Sequence, residues 1–186
     1  MRAWRRAASL AALADSRLAS GDDHGIIRIW DVNSGVEVAM LGDPNSPEIC
    51  KPLEARKSEI ERRDRNWRQN EEYKKAENKL RKIRVGCLVA LDGERLASGS
   101  AGSIIVWNLV DGKQLARLEG HKRAVKCLAG LDDDRLASGS VDKSIIVWSL
   151  ADGTQLAKLV GHTGLVLSLA ALDGDRLASG SKDRSI

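Results

Sequence analysis

The sequence predicts an all-β fold: four-stranded antiparallel blades set radially, open at about 3.5 blades, with one long charged α-helical insert. Three observations predict it. A string close to RLASGS–SIIVW is written four times, at Arg17 to Trp30, Arg95 to Trp107, Arg135 to Trp148 and Arg176 to Ile186. Leu96, Leu136 and Leu177 lie 40 and 41 residues apart, a fixed period of the kind that marks repeat architectures. Within each period, four strand-length apolar segments are separated by turn residues.

The first segment of each unit is AASLAAL (Ala7 to Leu13), VGCLVAL (Val85 to Leu91), VKCLAGL (Val125 to Leu131) or VLSLAAL (Val166 to Leu172). The second is RLASG and the third SIIVW, or IIRIW in the first copy. The fourth is VEVAML (Val36 to Leu41), QLARL (Gln114 to Leu118) or QLAKL (Gln155 to Leu159). The pairs Asp111-Gly112, Asp152-Gly153 and Ser34-Gly35 stand between third and fourth segments, where a hairpin needs residues that tolerate positive φ. Four hairpin-linked strands per period make one blade of a radial β architecture.

Composition narrows the function classes. The chain has 186 residues, no Phe, five Trp and a net charge of +4, so its core is built from Leu, Ile, Val and Ala with Trp as a recurring element. Its three cysteines, Cys50, Cys87 and Cys127, include no CxxC pair and are too few for a disulfide scaffold; this fits an intracellular location, cytoplasmic or nuclear. Cys87 and Cys127 take the place of Ser9 and Ser168 in other copies, which reads as a packing site for a small side chain rather than a metal or nucleophile site. MRAWRRAASLAALAD superficially resembles a signal peptide, but its apolar run is short and aligns with a repeat segment, so it is read as structure. No run approaches the ~18 apolar residues of a membrane span. LASGSAGS lacks the GxxxxGK[ST] pattern and leads into a strand, which excludes a phosphate loop. No cofactor or metal is expected.

Gly120-His121 and Gly161-His162 follow fourth segments, and Trp30-Asp31 ends a third, with Trp107-Asn108 and Trp148-Ser149 as degenerate counterparts. With the period and segment order, these residues resemble the WD40 family of β-propellers, and the resemblance implies an open WD40-type β-propeller. It also implies a buried hydrogen-bonded relay of His121, Ser138, Asp142 and Trp148, with His162, Ser179 and Asp183 as the matching set in the last copy. Physical chemistry asks for the same partners: a buried Trp N–H needs an acceptor and a buried carboxylate needs donors. His, Ser and Asp also suggest a hydrolase triad, but the trio repeats with the blade, which suits a structural device. The first copy has Ser20 and Trp30 with His24 at the Asp position, and the second has Ala101-Gly102 there and no preceding Gly-His.

The expected organisation is a first repeat at 1–42, a charged, mainly helical insert at 43–84, a second repeat at 85–121, a third at 122–162 and a truncated fourth at 163–186. Leu53 to Arg84 has no Pro or Gly, many helix formers and charge pairs at helical spacing such as Glu71–Lys75. Lys51 to Arg84 holds 13 Lys/Arg against 7 Asp/Glu, a net +6, while the rest of the chain is −2. The insert reads as a solvated helix, a coiled-coil or partner-binding helix, a contact for nucleic acid or an acidic membrane, or a degenerate blade.

The expected function is a non-catalytic protein–protein interaction scaffold, with protein or peptide partners on the propeller face. Two alternatives stand beside it: a substrate-recognition adaptor of a larger complex such as a ubiquitin ligase, and an RNA- or acidic-partner-binding protein acting through the basic helix. Partner-binding candidates are Lys143, Lys182 and Arg184 in the turns, and Arg62, Arg63, Arg65, Trp67, Arg68, Lys74 and Lys75 in the insert. Fewer blades than the ~4–8 of a closed ring lead to the expectation of a fragment of a longer propeller, or of self-assembly through open blade edges.

Overall fold

The computed structural model describes residues 7–42, 59, 61, 62, 71–75, 84–173 and 175–186. Its strands form three four-stranded antiparallel sheets and one two-stranded sheet. The first blade is β1 (Ala7–Ala12), β2 (Arg17–Asp22), β3 (Ile27–Asp31) and β4 (Glu37–Leu41). The second is β5 (Cys87–Ala90), β6 (Arg95–Gly99), β7 (Ser103–Asn108) and β8 (Gln114–Glu119). The third is β9 (Val125–Gly130), β10 (Arg135–Ser140), β11 (Ser144–Ser149) and β12 (Gln155–Val160), and β13 (Val166–Leu172) with β14 (Arg176–Ser181) begins a fourth. Strand order within each sheet is sequential, so each blade is a meander.

Register repeats from blade to blade. Ser138 lies opposite Ile146 and Leu136 opposite Trp148, and Ser98 and Leu96 oppose Ile105 and Trp107 in the same way. A register shift recurs one residue before or at the Trp in all three complete blades, at Ile29/Trp30, Val106/Trp107 and Val147/Trp148. Such a bulge strengthens local twist, which a radial blade requires. The first strands β1, β5, β9 and β13 adjoin one another in succession and so line the inner edge of the array.

The core lies between blades. Ile27, Ile29 and Leu41 of the first blade pack with Val85, Leu88, Leu96 and Trp107 of the second. Ile104, Val106 and Leu118 of the second pack with Leu128, Leu136, Ile146 and Trp148 of the third. Cys127 and Ile145 of the third pack with Val166, Leu169 and Leu177 of the fourth. Two facing sheets thus bury both sides of the period-two pattern, which explains why RLASG and SIIVW are apolar at successive positions rather than strictly alternating.

The glycine of each RLASG copy is set by this packing. A Cβ at Gly139 would fall 2.6 Å from Cys127 Sγ and 2.6 Å from a methyl carbon of Val166 in the next blade. A Cβ at Gly99 would meet Cys87 Sγ at 2.5 Å and Val125 at 2.9 Å. A small residue on the first strand, glycine on the second and valine opening the next blade therefore form one packing unit. Burial pushes the Cys87 thiol up to about 12, helped by the neighbouring Cys127, and burial pushes Cys127 up to about 11. Cys50 lies outside the described residues.

The long helical insert is not supported. The described helix in that segment is short, at residues 71–75, with residues 59, 61 and 62 also helical. The ion pair of Glu71 is made with Lys74, at 2.7 Å, rather than with Lys75. Charge pairs at helical spacing contribute only about 0.2–0.5 kcal/mol each, whereas helices of this kind are fixed mainly by a packed apolar face. Tyr73 supplies the one buried side chain among the described residues of this helix.

Candidate functional site

The site is built on the third blade at the end carrying the β2–β3-type turns and the loops between blades. His121 stands in the loop after β8, Ser138 in the middle of β10, Asp142 in the β10–β11 turn and Trp148 near the end of β11. Trp148 Nε1–H donates to Ser138 Oγ at 2.8 Å. Ser138 Oγ lies 2.8 Å from His121 Nε2, and His121 Nδ1 lies 3.0 Å from Asp142 Oδ2. A carboxylate against Nδ1 places a proton there and leaves Nε2 to accept from the serine, so the chain of donors runs Trp, Ser, His, Asp. The imidazole and indole rings meet edge-on, with centroids 6.4 Å apart.

Asp142 does more than end the relay. Its Oδ2 also accepts from Lys122 N–H at 2.8 Å, and its Oδ1 accepts from Ser144 N–H at 3.0 Å and Ser144 Oγ at 2.6 Å. One carboxylate therefore ties the loop between blades to the turn within the blade. Burial would raise its pKa, but the hydrogen bonds from Ser144, His121 and Lys122 win and hold it well below the usual carboxylate range.

The fourth blade repeats this geometry. His162 lies 2.8 Å from Ser179 Oγ and 3.0 Å from Asp183 Oδ2. Asp183 accepts from the N–H groups of Thr163 at 2.8 Å and Ser185 at 3.0 Å. The second blade keeps only the inner pair, Trp107 Nε1–H on Ser98 Oγ at 2.8 Å.

In the first blade Trp30 donates to Ser20 at 2.8 Å, and its turn is held by a different acid. His24 aligns with Asp142, but the buried acid is Asp22, two residues earlier. Its carboxylate accepts from the N–H groups of His24 at 2.8 Å and Ile26 at 3.1 Å, and from Arg28 at 3.0 Å. Arg28 also pairs with Glu37 at 3.3 Å. The visible signal was Arg28 itself, a charge in IIRIW where the other copies have Ile.

A second device, absent from the sequence-based expectations, lies at the other end of the blades. The arginine opening each of the first three RLASG strings reaches to the first turn of the next blade: Arg17 to Gly93 O at 3.4 Å, Arg95 to Asp133 O at 2.5 Å and Arg135 to Asp175 at 2.5 Å. Arg95 and Arg135 also hold their own turns through Asp92 and Asp132. These arginines were legible as repeated residues, but their reach across blades exists only once the blades are stacked.

The remaining candidates divide. Lys143, Lys182 and Arg184 are exposed in the β10–β11 turn and after β14. Lys143 and Arg184 have φ of 73° and 71°, where the corresponding Gly25 and Gly102 have 81° and 105°. Lys74 is engaged by Glu71, while Arg62 and Lys75 lie on helical turns. Arg63, Arg65, Trp67 and Arg68 lie outside the described residues.

Chemically the relay can hold but not react. Ser138 and the His121 side chain are 0% exposed, and the serine oxygen already receives the indole N–H, so no substrate carbonyl has access. Among the described residues no group of three or more His, Cys, Asp or Glu is placed to hold a metal ion, and no helix is long and apolar enough to cross a membrane.

Residues 112–149 and 153–186 match the family profile described as WD domain, G-beta repeat. No curated protein matches the chain by sequence. Among solved structures, the chain is similar to "Structure of U3-55K", with TM-score 0.70 and 22% identity over 97% of this chain and 47% of that one. It is similar to the "Crystal structure of the computationally designed Ika4 protein", with TM-score 0.68 and 23% identity over 98% of this chain and 89% of that one. A chain in the "Crystal Structure of Mitotic Checkpoint Complex" is similar at TM-score 0.71 and 22% identity, over 97% of this chain and 46% of that one. The chain thus spans about half the length of the U3-55K structure. These likenesses establish the fold.

Proposed function

We propose that this chain, which belongs to the WD40-repeat β-propeller family, works as a non-catalytic protein-interaction scaffold whose partners meet the relay end of the blades. One observation carries the reading: the third-blade residues that look catalytic are buried and their types recur in the fourth blade, whereas the turn around them changes composition from blade to blade. Asp22-Asp23-His24, Ala101-Gly102, Val141-Asp142-Lys143 and Lys182-Asp183-Arg184 occupy the same place after the second strand of each blade, in three hairpins and in the turn that follows β14. Rigid elements that present variable turns are the usual basis of recognition surfaces.

The test is a peptide-display selection on the full chain, followed by hydrogen exchange with the selected peptides bound. Protection is expected at the β2–β3-type turns and at the loop holding His121. Selected peptides that protect only the arginine end, or no selected peptides at all, would sink the reading.

A second reading, self-association, has its own support. Leu41 and Leu118 are 2% and 1% exposed under the next blade, whereas the corresponding Leu159 is 45% exposed. A dimer or larger species by light scattering, lost on Leu159→Lys, is the expected result. A monomer at all concentrations refutes it. The narrower roles, a ubiquitin-ligase adaptor or an RNA contact through residues 43–84, have only the family's breadth and the +6 charge of Lys51 to Arg84 behind them.

A further inference from the structure

We infer that the relay end of the third and fourth blades is a binding surface for an acidic peptide segment of a protein partner; this rests on the scaffold reading and names its ligand chemistry. Lys122, Arg123, Lys143, Lys182 and Arg184 are all exposed there. The backbone that carries them is held by the relay aspartates and by hydrogen bonds beside them. Lys122 N–H is bound to the Asp142 carboxylate, and Lys143 follows Asp142 directly. Arg123 O accepts from Ser140 Oγ at 3.1 Å, and Lys182 N–H is held by Leu165 O at 2.9 Å. Lys182 and Arg184 flank Asp183. The two turns whose aspartate enters a relay are thus the two that carry cations.

The acids at this end are already committed. Asp142 and Asp183 are held by their histidines and by backbone N–H groups, Asp22 by Arg28, Asp23 by Arg84 at 2.7 Å, and Glu119 by Arg117 at 2.7 Å. Among the described residues none of the five cations has an ion-pair partner. At the opposite end Arg95 and Arg135 are paired with Asp92, Asp132 and Asp175. Positive charge that the fold has left unneutralised on one end raises the local concentration of anionic ligands and orients their approach.

A peptide is favoured over a nucleic acid because base recognition without sequence readout relies on exposed aromatic platforms. Among the described residues Trp107, Trp148 and Tyr73 are buried, and the Trp30 indole is turned to Ser20. An extended acidic peptide needs only carboxylates spaced along a backbone.

The experiment is fluorescence anisotropy with the full chain and three labelled probes of twelve units: a Glu/Ser peptide, its Gln/Ser counterpart, and a mixed-sequence single-stranded RNA. The Glu peptide is expected to bind at least about tenfold tighter than the Gln peptide, and to weaken several-fold between about 0.05 and 0.3 M salt. The double variant K143G/R184G should lose about tenfold without a lower melting temperature, because Gly25 and Gly102 already fill that turn position in two blades. The variant K122Q/R123Q/K182Q gives an independent loss. Equal binding of the Glu and Gln peptides, or unchanged binding by both variants, overturns the inference. RNA binding tighter than the Glu peptide and lost in the same variants overturns it in favour of a nucleic acid. Display-selected peptides that protect the relay-end turns but carry no acids would leave the scaffold standing and sink the acidic ligand; no bound peptide of any kind would sink both.

Discussion

Replacing Asp142 by alanine removes the acceptor of four donors at once: His121 Nδ1–H, the N–H groups of Lys122 and Ser144, and the Ser144 hydroxyl. The donors nearest solvent recover water. His121 does not, because its side chain is 0% exposed. A hydrogen bond to a charged group is worth about 1.5–3 kcal/mol, and stranding a buried donor costs about 1–3 kcal/mol. The terms belong to one network and do not add, so the expected loss is about 3–4 kcal/mol. At about 2–4 °C per kcal/mol for a chain of this size, Tm falls by about 10 °C. Thermal unfolding followed by circular dichroism measures it, with the exposed turn residue Asp152→Ala as control; that control should stay within about 2 °C. Equal melting temperatures for the two variants would refute the relay as a stabilising device.

The same carboxylate gives a pH signature. Asp142 is held below its ordinary value in the folded chain, so its contribution is complete above the unfolded pKa of about 3.9 and is lost as pH falls below it. The stability gap between wild type and Asp142→Ala should therefore be constant from about pH 5 to 7 and shrink by about 1.4 kcal/mol per pH unit below about pH 4. A gap that stays constant down to pH 3 would mean the carboxylate is not what stabilises the turn.

Gly139→Ala places a methyl within 2.6 Å of Cys127 Sγ and Val166 and should cost about 1–3 kcal/mol, read as Tm against Gly93→Ala, where nothing lies within 4 Å. Leu118→Ala should cost about 2–5 kcal/mol by denaturant titration and Leu159→Ala under about 1, because only the first is covered by the next blade. Cys87 and Cys127, raised to about 12 and about 11, should resist iodoacetamide at pH 8 in the native chain and react in denaturant, as mass spectrometry can count.

The blades were legible because their strands announce themselves twice, by apolar period and by repetition of the same string. The third-blade set His121, Ser138, Asp142 and Trp148 was implied by the resemblance to WD40 blades, because its loop, strand and turn residues come from separate parts of the string and meet only in the fold. In the first blade His24 stands where Asp142 does, as alignment by position gives, and the fold instead buries Asp22 and pairs it with Arg28 from the neighbouring strand. No local pattern distinguishes an aspartate that points into the turn from one that points to water. The arginine clasps were hidden for a different reason: Arg135 and Asp175 are 40 residues apart and meet only across a blade boundary. The insert was overread because charge spacing says which residues could pair on a helix, and much less about whether a long helix is held by packing.

Asp142 and Lys143 show how one turn can serve architecture and recognition without conflict. The aspartate points inward and spends its lone pairs on His121, Lys122 and Ser144. The lysine next to it is exposed, and its left-handed backbone, φ 73°, is a conformation that glycine adopts at lower cost. Stability and charge therefore respond to different side chains on adjacent residues. If the relay positions the cations, Asp142→Ala should weaken acidic-peptide binding even at temperatures where the variant remains folded, because Lys122 is no longer fastened beside Lys143. Lys143→Gly should do the opposite to stability while also weakening binding. Opposite shifts in Tm with the same direction in affinity separate a positioning role from a loss of fold, and no single defect in folding produces that pair of results.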